Sequence, residues 1–353
     1  MSVTKIIKIN PLDPERADIH QAAQLIASGG LVIIPTETVY GIAVNALDEK
    51  AVNRLYEIKK RSKDKPFSLL VSQKAMVEEL ACNIPVAAYK LMRKFWPGAL
   101  TIILKSIRQG KVGLRMPDNS VTLEIIDRSG VPVACPSANL SGKLAPTDLT
   151  QALNDLDGLV DLAIDAGQTK LGQESTIVDL TTEPLQVIRS GAIKDTEISG
   201  VVKTKTVLFV CTGNSCRSVM AEAYLKKVLE RNNRTDVEVS SAGIMMLAGL
   251  GASEETQEVL KLEGINVGSH RSQRVTKELV KASDIILVME RIHEDKVLQI
   301  APEVKNRLFL LKEFAKISSG NLGIPDPIGR SAEVYAQIFN TIKDAIERIS
   351  KII

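Results

Sequence analysis

A chain of 353 residues that is 44% hydrophobic and 25% charged exceeds the size at which one core keeps growing, and its composition excludes disordered or collagen-like sequence. A formal net charge of +3 lacks the basic excess of a nucleic-acid binder, so no strong direct nucleic-acid binding is expected. No apolar run reaches the roughly 20 residues of a membrane span, and the opening Met-Ser-Val-Thr-Lys has no signal-peptide stretch, so a cytoplasmic protein with no membrane partner is expected.

Cys82, Cys135, Cys211 and Cys216 do not make a disulfide framework, and His20, His270 and His293 are too dispersed for a histidine-rich site, so no structural metal is expected. Short β-branched runs alternate with amphipathic stretches throughout, which predicts α/β architecture with parallel or mixed sheets. In the first half, Leu31 to Pro35 predicts a strand and Asp48 to Arg61 a helix capped by Asp48. Strands follow at Thr101 to Leu104 and Val131 to Cys135, and Ile177 to Leu180 with Leu185 to Ile188 predicts a closing hairpin. Ser190 to Lys205, with two glycines, mixed charge and little periodicity, is the linker candidate. Two domains are therefore expected, 1–202 and 203–353.

The second half opens on the buried-strand run Val207 to Val210, then a glycine-containing turn and a helix from about Ser218 to Arg231. Val237 to Ser240, Ile285 to Val288 and Arg307 to Leu311 predict further strands, and Ala332 to Ile349 a last long helix. The segment Cys211-Thr212-Gly213-Asn214-Ser215-Cys216-Arg217-Ser218 lies between strand and helix with five residues separating Cys211 from Arg217. Backbone N–H groups, the helix N-terminus and the Arg217 fork can then converge on one phosphate, and the same field stabilises a Cys211 thiolate. A departing group needs a proton, and Asp326, between Pro325 and Pro327, is the candidate general acid. Strand, spacing, glycine, arginine and helix agree, which a buried cysteine beside a turn-forming aspartate would not require.

These residues resemble the low-molecular-weight protein phosphatase family, and the likeness continues through Met220-Ala221-Glu222, Ser241-Ala242-Gly243, Ile286 to Glu290 and Asp326-Pro327. The resemblance implies a doubly wound parallel sheet, a phosphocysteine on Cys211 hydrolysed by water, no cofactor, a phosphoprotein substrate, and support of the loop by Thr212, Asn214, Ser218 and Ser241. Cys216 matches a family cysteine that can pair with the nucleophile; read alone it is equally a small core residue. Thioredoxin-coupled arsenate reductases share the octapeptide but need later cysteines, and none follows Cys216. Ile328-Gly329 stands where tyrosine-specific members often carry an aromatic residue, and Thr212 resembles the arginine-specific members, which ranks phosphoarginine slightly ahead of phosphotyrosine.

The first half shows polar clusters in apolar surroundings: Pro35 to Gly41, Lys59 to Arg61 followed by Lys63 and Lys65, Pro136 to Gly142, and the single cations Arg115 and Arg189. By residue chemistry alone they indicate a polar, cationic pocket suited to a nucleotide. In this order, together with Phe95-Trp96-Pro97-Gly98, Arg115-Met116-Pro117 and Glu174 to Asp179, they resemble the YrdC-like family of threonylcarbamoyl-adenylate synthases from about residue 16 to 194.

That likeness implies a twisted mixed sheet with helices and the conversion of L-threonine, bicarbonate and ATP to threonylcarbamoyl-adenylate and pyrophosphate, which downstream tRNA-modification proteins consume. It places Lys59, Arg61, Lys65, Asn139, Thr147 and Arg189 at ATP, and Thr36, Thr38, Arg115, Ser137 and Ser175 at threonine or its carbamate. Mg²⁺ is expected to arrive with ATP rather than in a protein cage. Ser62 replaces a customary proline, and Leu70 a histidine of many long-form members. The competing readings are an RNA- or nucleotide-binding module in the first half, and a phosphotyrosine-only phosphatase or phosphate sensor in the second.

Overall fold

A computed structural model describes residues 3–245, 248–318 and 320–353, so Met1 and Ser2 of the leader reading lie outside the described residues. The chain divides into two compact units, Met1–Ser199 and Gly200–Ile353. The division falls just before the boundary expected near residue 203, and the expected linker is not irregular: it holds the helix Asp195–Lys203, with Ile198 buried, and runs to the strand that starts at Lys205. The glycine at 200 and the mixed charge mask a helical period in which Ile198, Val201 and Val202 share a face.

In the first unit one mixed sheet runs from Lys5–Lys8 at one edge through Leu162–Asp165, Val32–Ile34, Gly41–Asn45, Val133–Ala134, Leu69–Leu70, Lys111–Arg115, Leu100–Ser106 and Thr176–Asp179 to Gln186–Arg189. Alternate side chains of one strand serve both faces. Val32 and Ile34 join a core with Ile19 and Ala22 of the helix Arg16–Ala27 and with Ile125 of Ser120–Ser129, while Leu31 and Ile33 join a second core with Leu55 of Glu49–Lys59 and with Ala152 of Leu149–Leu156.

The predicted hairpin is present as Thr176–Asp179 against Gln186–Arg189, antiparallel. The predicted strand Val131 to Cys135 shrinks to Val133–Ala134, since Pro132 and Pro136 bracket it and neither can donate to a ladder. Asp48 caps its helix by accepting from the N–H groups of Lys50 and Ala51, but the helix stops at Lys59: Lys60 adopts the left-handed conformation (φ +50°), and Arg61 N–H closes on the carbonyl of Tyr56. That ending turns Arg61 off the helix.

The second unit is a parallel sheet in the order Val237–Gly243, Lys205–Cys211, Ile285–Val288, Leu308–Leu310. Phe209 packs on one face with the helices Arg217–Arg231 and Ala332–Ile349, and Leu208 and Val210 pack on the other with Val280 of Lys277–Lys281 and Val297 of Arg291–Ile300. Helices therefore cover both faces, the doubly wound arrangement. Strand order reverses beside Lys205–Cys211, so Cys211 emerges at the carboxyl end of the strand next to the switch point, where such sheets bind ligands.

Phe209 is wholly buried in this sheet. Truncating Phe209→Ala should cost about 3–5 kcal/mol, measured by equilibrium denaturation; a change under about 1 kcal/mol, the range of volume-conserving swaps, would show that the strand is not the centre of its core.

Two candidate active sites

The loop after Lys205–Cys211 is held by one amide. Asn214 has φ +54°, a conformation open to asparagine at modest cost. Its Nδ2 donates to Ser218 Oγ (3.0 Å) and Ser241 Oγ (2.7 Å), its Oδ1 accepts from Gln273 N–H (2.9 Å), and its carbonyl lies 2.8 Å from His270 Nε2. Ser241 Oγ in turn donates a hydrogen bond to Glu222. Ser218 Oγ, which accepts from Asn214, lies 2.9 Å from Cys211 Sγ and keeps a proton it can donate to the sulfur.

A strand backbone closes the other side: a Cβ on Gly243 would stand 2.8 Å from the Thr212 carbonyl and 3.0 Å from Asn214 N, so only glycine allows this approach.

Arg217, 1% exposed, opens the following helix. It forms ion pairs with Asp326 and Glu290, donates to the Ile324 carbonyl at 2.8 Å and to Thr212 Oγ1 at 3.0 Å, and leaves its buried Nε–H without a partner. A buried donor on a cation beside a run of loop amides is suited to an anion. Of Cys211, Arg217 and Asp326, expected together from the sequence, the guanidinium joins Arg217 to Asp326, and it reaches the loop at Thr212, the residue after Cys211. Cys211 and Cys216 are both free thiols, and Cys216 Sγ lies 3.5 Å from the Tyr335 hydroxyl.

Glu290 and His293 carry no chemical signal in sequence, since nothing local shows that the start of Arg291–Ile300 reaches this loop. His293 is buried; its Nδ1 accepts from Glu290 N–H and its Nε2 contacts Thr212 Oγ1, both at 3.0 Å. Burial, then the nearby Arg217 charge, lowers its pKa to about 4.

In the first unit a cavity of about 140 Å³ collects Thr36, Arg61, Arg115, Ser137, Ser175 and Arg189 from distant segments. Arg115 Nη2 donates to Glu37 and Thr38, both at 2.8 Å, and its Nε to the Gly98 carbonyl, while Gly98 N–H binds the Met116 carbonyl. Two motifs far apart in sequence thus form one wall. Thr36 Oγ1 bonds Thr38 Oγ1 at 2.8 Å. Arg189 donates to Glu174 (2.6 Å), the Ser175 carbonyl (3.0 Å) and Ser175 Oγ (3.1 Å). Arg61 lies over the Phe67 ring, 5.2 Å from its centroid, and donates to the Lys65 carbonyl.

The remaining expected residues do not line this cavity. Thr38 is wholly buried under Arg115. Lys59 is 2% exposed, and its ammonium donates to the carbonyls of Ser137 and Asn139 (2.6 Å to the latter), pinning the turn from below. Burial, then Arg61, lowers the Lys59 pKa to about 8. Asn139 accepts from Ser137 Oγ at 2.6 Å and bonds the Lys143 carbonyl, Thr147 pairs with Gln151, and the Lys65 side chain is exposed.

Sequence reasoning missed Glu37, Phe67, Thr101 and Cys135. Glu37 carried a signal, an acid inside an otherwise neutral buried run, and its Oε2 is buried without a partner. Leu70 lines the cavity and presents an aliphatic surface to it.

A family model for Sua5, YciO and YrdC proteins, described as telomere recombination, matches residues 24–191, and a model for low molecular weight phosphotyrosine protein phosphatase matches residues 206–353. A putative threonylcarbamoyl-AMP synthase of Mycobacterium tuberculosis is 38% identical over 201 residues, covering 54% of this chain and 92% of that protein. A protein-arginine-phosphatase of Geobacillus stearothermophilus is 38% identical over 145 residues, covering 41% of this chain and 93% of that protein. The chain belongs to both families.

The threonylcarbamoyl-AMP synthase of Pyrococcus abyssi is 41% identical over 197 residues, covering 53% of this chain, and the chain spans only 58% of that relative's length. The Sua5-family unit and the phosphatase-family unit thus stand in sequence, each with its own site.

Two outcomes test the phosphatase-family loop. Asn214→Ala strands three partners and should lower turnover about 100-fold, as a misplaced reacting group does, while circular dichroism stays native; unchanged turnover would contradict the brace. His293 has a folded pKa below its ordinary 6.5, so on acidification the unfolded chain takes up a proton that the folded chain refuses until about pH 4. Stability from this group is therefore lost as pH falls from about 6.5 toward 4, and His293→Asn should flatten that slope in denaturation series; an unaltered slope would show that His293 protonates freely.

Proposed function

We propose that the chain is a bifunctional enzyme. Its first unit would convert L-threonine, bicarbonate and ATP to threonylcarbamoyl-AMP, pyrophosphate and water, supplying proteins that build threonylcarbamoyladenosine in tRNA. Its second would hydrolyse phosphoarginine, ahead of phosphotyrosine, in proteins. The observation that carries the second activity is Arg217, buried beside the Cys211 loop with a donor unspent and with Asp326 on its other edge.

In that reaction the thiolate attacks phosphorus in line, the P–N or P–O bond breaks, and Asp326 supplies the proton to the departing atom. Water activated by Asp326 then cleaves the P–S bond, returning thiolate and phosphate. Ile328, 66% exposed, offers no ring to stack on a phenol, and together with the arginine-phosphatase relative this supports the order of substrates.

For the first unit, a cavity of about 140 Å³ ringed by three arginines and six hydroxyl side chains supports recognition of threonine's carboxylate and the nascent carbamate. A cavity of about 150 Å³ takes a molecule of benzene's size, so this one suits the amino acid and leaves the nucleotide to extend beyond it. Arg61 and Arg189 would then meet the phosphates and stabilise charge on departing pyrophosphate. Lys59, Asn139 and Thr147 would act through the turns they hold, and Lys65 from the exposed side. Mg²⁺ would enter with ATP, sharing its coordination with the phosphates. No helix among the described residues is long and apolar enough to cross a membrane, and a cytoplasmic setting is part of the same proposal.

A paired assay on the full chain tests both halves. Pyrophosphate release should require threonine and bicarbonate together and fall at least about 10-fold in Arg61→Ala, with phosphoarginine and phosphotyrosine hydrolysis untouched; Cys211→Ser should do the reverse. Wild-type protein that releases no threonine-dependent pyrophosphate would make the first unit a binding module, and wild-type protein that hydrolyses neither phosphoamino acid would make the second a phosphate sensor.

A further inference from the structure

Thr212 Oγ1 is the meeting point of two donors. His293 Nδ1 accepts the Glu290 N–H at 3.0 Å, which places the imidazole proton on Nε2, and Nε2–H then donates to Thr212 Oγ1 at 3.0 Å. Arg217 Nη2 donates to the same oxygen at 3.0 Å. A hydroxyl has two acceptor positions and one proton. With both positions filled, the Thr212 hydroxyl can only donate, beside the guanidinium that faces the anion.

Building on the phosphatase reading, we infer that His293 is a positioning residue that fixes the Thr212 hydroxyl as a hydrogen-bond donor to the substrate's phosphoryl oxygens. A guanidinium leaving group offers only N–H donors, so it gives such a hydroxyl nothing to bond; a phosphoryl oxygen does, and every substrate carries one. Thr212 therefore serves the transferred group and is neutral between phosphoarginine and phosphotyrosine. A polar residue here does not by itself select arginine. The lowered His293 pKa keeps the ring neutral and in this tautomer across the working range.

The test uses the full chain, with orthovanadate as a probe that has no leaving group. Asn at position 293 retains an acceptor for the Glu290 N–H and loses the donor to Thr212, while Gln retains a donor near the imidazole Nε2 position. His293→Asn should lower kcat/KM for phosphoarginine and phosphotyrosine by the same factor, ~10–100-fold for one charge-assisted hydrogen bond, and weaken vanadate inhibition in parallel. His293→Gln should stay within about threefold of wild type, the scatter expected of such effects. Thr212→Val should match His293→Asn, and the double variant should be no worse than Thr212→Val alone.

Additive losses in the double variant, equal behaviour of Asn and Gln, or a loss confined to one substrate would each overturn the inference. If His293→Asn does not fold, His293→Gln still decides: vanadate affinity as low as in Thr212→Val contradicts the assignment. Wild-type protein inactive on both substrates would instead remove the phosphatase reading itself.

Discussion

A guanidinium taken almost wholly out of water costs several kcal/mol unless its charge and N–H groups are met. Arg217 is such a group, and satisfying it recruits three separate stretches of the second unit: Thr212 in the loop, Glu290 after the third strand, and the segment that supplies both the Ile324 carbonyl and Asp326 between its prolines. Asp326 stands beside the loop that Cys211 opens because Asp326 and Thr212 of that loop are partners of one buried cation. Removing it would leave two carboxylates facing each other across a cradle built for anions. The Asn214 brace and the close approach of Gly243 then give the loop a single shape around that charge.

The first unit uses the same device with less severity. Arg115, buried beneath the cavity, draws in Glu37, Thr38 and the Gly98 carbonyl, and Arg189 does so for Glu174 and Ser175. Lys59 is the cation of this set that has turned inward, spending its charge on the Ser137 and Asn139 carbonyls beneath the turn. A lysine that the sequence assigns to ATP is thus a support for the turn in space. The hydroxyls that face the cavity are those proposed to recognise the small polar substrate.

The second site was legible in sequence because its signal is local: a strand, a five-residue loop and a helix are contiguous, so Cys211 and Arg217 follow from spacing. Asp326 was legible through its prolines. Glu290 and His293 were not, since their role depends on the packing of Arg291–Ile300 against a loop some eighty residues earlier. In the first unit the cavity is assembled from segments between Thr36 and Arg189, and only their resemblance to a family grouped them; which of them face the cavity and which hold its wall is a tertiary property. The helix Asp195–Lys203 was hidden by Gly200 and by charges that blur its period, and the Glu49–Lys59 helix ends early because Lys60 turns left-handed, a backbone choice its side chain does not announce.

On the proposed function, covalent chemistry in this chain runs through Cys211 in the Arg217 cradle. Acid quench of the full chain during turnover of a phosphoamino-acid substrate, followed by peptide mass spectrometry, tests it most directly. One phosphoryl group is expected on the peptide containing Cys211, accumulating when Asp326 is replaced by Asn with a substrate whose leaving group needs no proton. A phosphoryl group on any other residue, or continued turnover in Cys211→Ser, would contradict it.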